Sequence, residues 1–324
     1  MKAMTIREHG GPDQLVLSEL PVPVPAQGEV LIRVKALGIN RAETYMRKGV
    51  WGKVAKVSGI ECVGLVEKDT TGRFPKGSTV AAIMGGMGRT RNGRYAEYTC
   101  VPATNVFALD TELEWAELAA IPESYATAWS CLIHTLQLKK GQVLLVRGAT
   151  SALGQAALNI AARIGAATLA TTRKKEREPL LKSHGASRVL IEADTLAPAV
   201  RELHPDGIDA VLELLGNRTV LDSMRMVRKS GRVCIAGFLG GPEPVSFDVL
   251  TGMAPGVDVS FYASFLLGTK DYPLSNIPMQ EIVNEAARGA YKAKPVKVLS
   301  FEEIPEAHRL VEANTAGGKI VVVV

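Results

Sequence analysis

The chain has 324 residues, about twice a typical domain length, so two domains are expected. Hydrophobic residues at 47% and charged residues at 22% exclude a disordered chain, and no apolar run approaches the roughly 20 residues of a membrane-spanning helix. Four cysteines without a C-x-x-C pair exclude a disulfide scaffold and a cysteine zinc site, and the net charge of +5 is spread along the chain, with one dense basic cluster at Arg173-Lys174-Lys175-Glu176-Arg177. Aromatics at 5% give no base-stacking surface, so a nucleic-acid partner is not expected, and neither is a membrane. The start, MKAMTIREHGG, lacks a signal-peptide core and reads as a strand; a reducing, cytoplasmic setting is expected.

In chain order, the first 120 residues read as β-rich. Gly28–Gly38 and Cys62–Val66 carry β-branched residues bounded by Gly and Pro, and the alternating prolines of PVPVP form an extended connector. Residues Met84–Tyr95 (MGGMGRTRNGRY) form a glycine-rich loop, expected to be mobile, and a short helix covers Trp115–Ala120. After Pro122 the texture changes to a helix over Ser124–Leu136, then alternating strands and helices: strand Val143–Val146, helix Gln155–Ile164, strand Thr168–Thr172, helix Glu178–His184 and strand Arg188–Ile191. Ala210–Leu215 and Arg232–Gly237 add two short apolar strands. Short buried strands alternating with helices predict an α/β unit with a parallel sheet covered on both faces. The tail supplies helices Met279–Arg288 and Pro305–Asn314 and strand Lys319–Val324.

The segment from Val143 to Gly165 runs strand, turn Gly148-Ala149-Thr150-Ser151-Ala152-Leu153-Gly154, then helix. In that context the backbone N–H groups at a helix start can hold a pyrophosphate. Against the dinucleotide fingerprint G-x-G-x-x-G, Ala149 and Ser151 replace the first two glycines and Gly154 remains. An ordinary βα turn of another α/β protein is equally compatible with these residues alone. The next strand ends at Thr172-Arg173 with Lys174, Lys175 and Arg177 beyond, where NAD-binding units place an acid for the ribose hydroxyls. A carboxylate there repels a 2′-phosphate and Arg173 can pair with it, so NADPH is the cofactor expected.

The chain resembles the medium-chain dehydrogenase/reductase superfamily, and within it the zinc-free quinone oxidoreductase branch that includes zeta-crystallin. The residues that carry the resemblance are Gly38-Ile39-Asn40, Glu43–Gly49, Gly59-Ile60-Glu61-Cys62-Val63-Gly64, Gly93–Tyr98, Ala126-Thr127-Ala128-Trp129, the Gly148–Gly154 turn and Gly318-Lys319-Ile320-Val321. The resemblance implies a Rossmann-type, doubly wound parallel-sheet domain (residues 123–265) inserted in a β-rich, GroES-like catalytic domain (residues 1–122 and 266–324). It also implies a homodimer. In the zinc enzymes of the superfamily a cysteine stands where this chain has Asn40 and a Gly-His-Glu triplet supplies a second ligand; here the triplet is Gly59-Ile60-Glu61, so no metal is expected.

Without a metal to stabilise an alkoxide, simple alcohols are poor substrates, and electron-poor acceptors that take hydride readily are better ones. The expected activity is hydride transfer from NADPH to a quinone or similar carbonyl. The alternatives are reduction of an alkenal or enone with the same cofactor, and a non-catalytic NADPH-binding role. The resemblance places Asn40 and Tyr45 at the nicotinamide end as catalytic residues, with Asn40, Thr127, Lys319, Ala149 through Gly154, Thr172, Arg173 and Arg177 holding the cofactor. Tyr45, Trp51, Phe238, Phe261 and Phe265 are the candidate acceptor pocket. The five histidines lie outside these motifs and are read as surface or structural residues.

Overall fold

A computed structural model describes residues 1–241 and 243–324. The chain divides into two compact units, one formed by Met1–Ser124 together with Ser264–Val324, the other by Tyr125–Ala263.

The first unit is built on a seven-stranded sheet. Its path runs Lys297–Ser300, Ile320–Val323, Glu29–Ile39, Glu61–Asp69, Thr79–Ile83 and Val106–Ala108, with Tyr98–Pro102 paired off the long strand Glu29–Ile39. In that long strand the sequence VLIRVKALGI puts Val30, Ile32, Val34 and Leu37 into the core with Val66, Val80, Val101 and Val322. The last strand enters the middle of this sheet rather than its edge. It pairs antiparallel with the long strand, Ile320 opposite Ile39 and Val321 opposite Gly38, and parallel with Lys297–Ser300. One step beyond the Ile39–Ile320 pair, the register brings Asn40 beside Lys319. On the other side of the long strand, Glu61–Asp69 runs antiparallel and begins at the same end of the sheet. Residues far apart in sequence therefore meet at one sheet end.

Among its described residues the second unit holds six strands, all parallel: Val143–Arg147, Ala167–Thr172, Arg188–Ile191, Ile208–Glu213, Val227–Ile235 and Asp258–Phe261. Numbered in that sequence, their spatial order is 3-2-1-4-5-6, the doubly wound order whose reversal lies between strands one and four. Leu145, Leu169, Val211 and Val233 form its core with Val200, Val220 and Met224 from the connecting helices. The predicted helix over Ser124–Leu136 is an α-helix at Pro122–Trp129 that widens into a π-helical turn at Ser130–Thr135. The strand expected at Arg232–Gly237 begins earlier and runs Val227–Ile235; within it Ser230 takes a left-handed conformation (φ 59°), and the register with strand four shifts between Ile208 and Ala210.

Among the described residues no helix is long and apolar enough to cross a membrane.

Candidate functional site

In the second unit, the Val143–Arg147 strand passes into the Gly148–Gly154 turn and the helix Ala152–Ile164. Gly148 takes φ +87°, which suits glycine, and its N–H donates to Thr171 Oγ1 at 2.9 Å. Ser151 caps the helix: its Oγ accepts from Gly154 N at 3.1 Å and donates to the Gly148 carbonyl at 2.9 Å. The first-turn N–H groups of Ala152 and Leu153 have no intrahelical acceptor and carry the positive end of the helix dipole. A Cβ on Gly154 would lie 2.7 Å from Ala149 Cα, so only glycine allows the helix to start this close to the strand. Small residues and a bare helix start thus leave a cradle of the kind a pyrophosphate fits.

At the end of strand two, Thr172 is buried and its Oγ1 donates to the Lys174 carbonyl at 3.1 Å, turning the chain so that Arg173 projects into solvent. Arg173 makes no hydrogen bond or ion pair with the described residues. Arg177 lies half-buried in the short turn that follows. Thr127 is buried on the helix Pro122–Trp129. Phe238 and Phe261 pair with ring centroids 5.7 Å apart. Phe265 belongs to the first unit.

A buried anchor at strand end one was not read from the sequence. Arg147, fully buried, pairs with Glu192 at 2.8 Å and Asp222 at 2.9 Å, and donates to the Thr219 and Ala193 carbonyls. Next to it Glu213 accepts from the N–H groups of Leu215 and Gly216 and from Ser223 Oγ, and burial pushes its carboxyl up. This network ties the ends of strands one and four to the loops that follow them.

In the first unit the sheet register assembles a second polar cluster. Asn40 follows the long strand and caps the helix Arg41–Arg47; its backbone N–H donates to Glu43 Oε2 at 2.6 Å. Its side-chain amide donates to Glu61 Oε1 at 2.9 Å, and its Oδ1 accepts from Lys319 Nζ at 2.6 Å. Lys319 also pairs with Glu61 at 2.5 Å, with side-chain exposures of only 5% and 1%. Glu61 takes a further hydrogen bond from the Glu123 N–H. A Cβ on Gly38 would lie 2.5 Å from Lys319 Cε and closer still to Glu61, so glycine at that position makes room for the ion pair. Burial lowers the Lys319 pKa, but Glu61 and Glu123 outweigh it and the ammonium is held charged, above its ordinary value. Two of its three protons are committed to Asn40 and Glu61, which leaves one donor.

Behind Asn40 lies a buried chain. Glu43 accepts from Asn40 N, Ile60 N and the Tyr95 hydroxyl, and that hydroxyl lies 2.9 Å from His308 Nε2. Burial is the main cause that raises the Glu43 pKa from 4.5 to about 7, and burial, aided by Arg47 and Lys48, lowers His308 from 6.5 to about 3. Arg94 is fully buried nearby, its pKa lowered by burial against the pull of Cys62, Glu61 and Glu43. Glu43, Glu61 and Tyr95 stood in the sequence as family motif residues; only their contacts give them roles.

Tyr45 lies half-buried on the Arg41–Arg47 helix, its ring centroid 5.8 Å from that of Trp51. The glycine-rich segment beside them is a hydrogen-bonded turn. Its Gly86 carbonyl accepts from the N–H groups of Arg89, Thr90 and Arg91, and its Gly88 carbonyl accepts from Ala55. Among the described residues no group of three or more His, Cys, Asp or Glu side chains could hold a metal ion.

The chain matches the family model described as zinc-binding dehydrogenase over residues 152–277 and the alcohol dehydrogenase GroES-like domain over residues 26–111. It is 29% identical to a quinone oxidoreductase of Lama guanicoe, covering 99% of this chain and 97% of that protein. It is 30% identical to one of Sus scrofa, covering 82% of this chain and 81% of that protein. Among solved structures, one described as an NAD-dependent alcohol dehydrogenase superposes with a TM-score of 0.85 at 27% identity, with full coverage of both chains. The expected combination of a GroES-like unit and a Rossmann-type parallel sheet is the fold found. The chain is an oxidoreductase that belongs to the medium-chain dehydrogenase/reductase superfamily, in its quinone oxidoreductase (zeta-crystallin-like) branch.

Proposed function

We propose that this protein is a zinc-independent reductase that takes a hydride from NADPH and delivers it to a quinone or a similar electron-poor carbonyl acceptor. The observation that carries the cofactor choice is Arg173: exposed at the end of strand two, paired with no carboxylate, and placed where NAD-binding units hold an acid. Its planar guanidinium suits a phosphate monoester. The Ser151-capped turn, Ala149 through Gly154, holds the pyrophosphate by backbone N–H groups, with Thr172 and Arg177 shaping the adenosine end and Thr127 supporting the helix that precedes strand one.

Bound NADPH supplies the hydride. The chain's own contribution is to fix Asn40 and hold positive charge beside it. Lys319 and Glu61 clamp the Asn40 amide, and the remaining Lys319 proton is a donor for an oxygen that gains charge as a carbonyl is reduced. Tyr45 offers its hydroxyl on the same helix, and Trp51 stands next to it. The absence of cysteine and histidine at Asn40 and Ile60 removes two ligands that the zinc enzymes of the superfamily use, and that loss supports acceptors needing no Lewis acid.

The test is NADPH oxidation with the full-length protein across quinones, enones and aldehydes. Turnover with 1,4-naphthoquinone above that with cinnamaldehyde is expected. Robust enone turnover without quinone turnover would move the assignment to an enone reductase, and binding of NADPH without any turnover would make it a binding protein. The cofactor reading predicts that Arg173→Glu weakens NADPH roughly ten- to hundredfold, the loss of a charge-assisted hydrogen bond plus repulsion, while NADH binding changes little. Equal loss for both nucleotides, measured by fluorescence titration, would remove Arg173 from 2′-phosphate recognition.

A further inference from the structure

Arg89 sits on the glycine-rich turn with its guanidinium carbon 5.1 Å from the Trp51 ring centroid and 5.0 Å from that of Phe265. Tyr45 continues the group beyond Trp51. All four residues belong to the first unit. Trp51 and Phe265 are 40% and 52% exposed, so these rings border solvent rather than fill a core. The turn that presents Arg89 is fixed: the Gly86 carbonyl gathers three N–H groups, and the Gly88 N–H donates to the Arg91 carbonyl at 2.9 Å. Gly86 and Gly88 take φ of +83° and +71°, and a Cβ on Gly88 would press on Met46 Sδ at 3.2 Å.

The two rings engage the guanidinium without using its hydrogen-bonding capacity. Its five N–H donors lie in the guanidinium plane, and a ring quadrupole does not replace an oxygen acceptor for them. Among the described residues, Arg89 has no carboxylate, carbonyl or hydroxyl partner. An arginine held by two aromatic contacts on a rigid turn, with its donors uncommitted, is prepared for a planar anion that can meet its donors and pack on the same rings.

We propose that the acceptor taken by this protein is an acidic one: a planar conjugated carbonyl compound bearing a carboxylate, which Arg89 binds between Trp51 and Phe265. This deepens the reductase reading above and rests on it for the word acceptor; the anion site itself does not. A nucleotide phosphate offers the same oxygen chemistry, but the flanking rings favour an aromatic acid, and the test separates the two.

The full-length protein is titrated with 2-naphthoate and with 2-naphthamide, a neutral compound of the same shape, followed by tryptophan fluorescence. The parent is expected to bind the acid at least tenfold more tightly than the amide. Arg89→Met should abolish that preference, Arg89→Lys should keep part of it, and the Kd for NADPH should be the same in the parent and in Arg89→Met. Equal binding of acid and amide by the parent, or undiminished acid binding by Arg89→Met, overturns the proposal. A rise in the NADPH Kd of Arg89→Met with acid binding intact also overturns it, because Arg89 then serves a cofactor phosphate. A parallel NADPH-oxidation assay with 1,4-naphthoquinone and with a carboxylated naphthoquinone distinguishes the two readings. Quinone turnover without acid preference removes the acidic acceptor alone, whereas acid preference without any turnover keeps the anion site and removes the reductase.

Discussion

Burial shifts the Glu43 and His308 pKa values in opposite directions, each favouring the neutral form, and one phenol joins the two groups. With Glu43 ionised, the Tyr95 hydroxyl donates to it and His308 donates from Nε2 to the phenol oxygen; with Glu43 protonated, both bonds can reverse. In either arrangement His308 Nδ1 is buried without a hydrogen-bond partner among the described residues. Lys319, Arg94, Arg47 and Lys48 are cations facing this chain, and Glu61 is a further carboxylate. The linkage has opposite signs at its two ends. Because the Glu43 pKa is raised from 4.5 to about 7, its contribution to stability is full below 4.5 and is lost as pH rises through 7. Because the His308 pKa is lowered from 6.5 to about 3, its contribution is full above 6.5 and is lost as pH falls through 3. Between 4.5 and 6.5 the two slopes offset one another. Urea unfolding across pH should therefore show Glu43→Gln gaining on the parent as pH rises from 4.5 through 7, by on the order of 3 kcal/mol. His308→Gln should gain on the parent as pH falls from 6.5. Variant profiles that run parallel to the parent at every pH would mean these groups do not titrate with folding.

At the scale of elements, the glycine turn shows what a sequence can and cannot disclose. The strand Val143–Arg147, the turn and the helix Ala152–Ile164 were legible because a buried parallel strand is a continuous apolar run and its helix has its own period. Strand five was legible only in part, since its first half, VRKSG, carries charges and a left-handed serine that mask a strand pattern. The Asn40–Glu61–Lys319 cluster had no local signal beyond family motifs, because Lys319 and Asn40 are 279 residues apart and meet through strand register. Arg89 was hidden for the same reason: its partners Trp51 and Phe265 come from two segments far from it in the sequence. The turn carries its own prediction. Gly154→Ala places a methyl 2.7 Å from Ala149 Cα and 2.8 Å from its carbonyl carbon, backbone that cannot swing aside. The helix start must shift, at a cost of roughly 1–3 kcal/mol. NADPH and NADH should weaken together, in contrast to the selective loss expected of Arg173→Glu. Calorimetric titration with both nucleotides checks this, and unchanged affinity would mean the cofactor does not approach the turn.

For the whole molecule, the decisive feature is that the first unit is closed by the last residues of the chain. Ile320–Val323 lies inside its sheet, between Lys297–Ser300 and Glu29–Ile39, so its removal exposes backbone on two neighbours at once. Ile320, Val321 and Val322 are at most 1% exposed. Burying three such side chains contributes roughly 5–9 kcal/mol, comparable to the whole stability of an ordinary domain at about 5–15 kcal/mol. Deleting residues 319–324 also removes the ammonium that neutralises Glu61, leaving a buried carboxylate unpaired. The second unit takes none of its strands from either chain end and has its own core around Leu145, Val211 and Val233. The truncated chain should therefore lose the first unit's fold and keep the parallel sheet. In amide hydrogen exchange, protection should disappear along Glu29–Ile39 and persist along Val143–Arg147 and Ile208–Glu213. Protection lost from both units together would show that the parallel sheet depends on the closure of the first unit and does not fold independently of it.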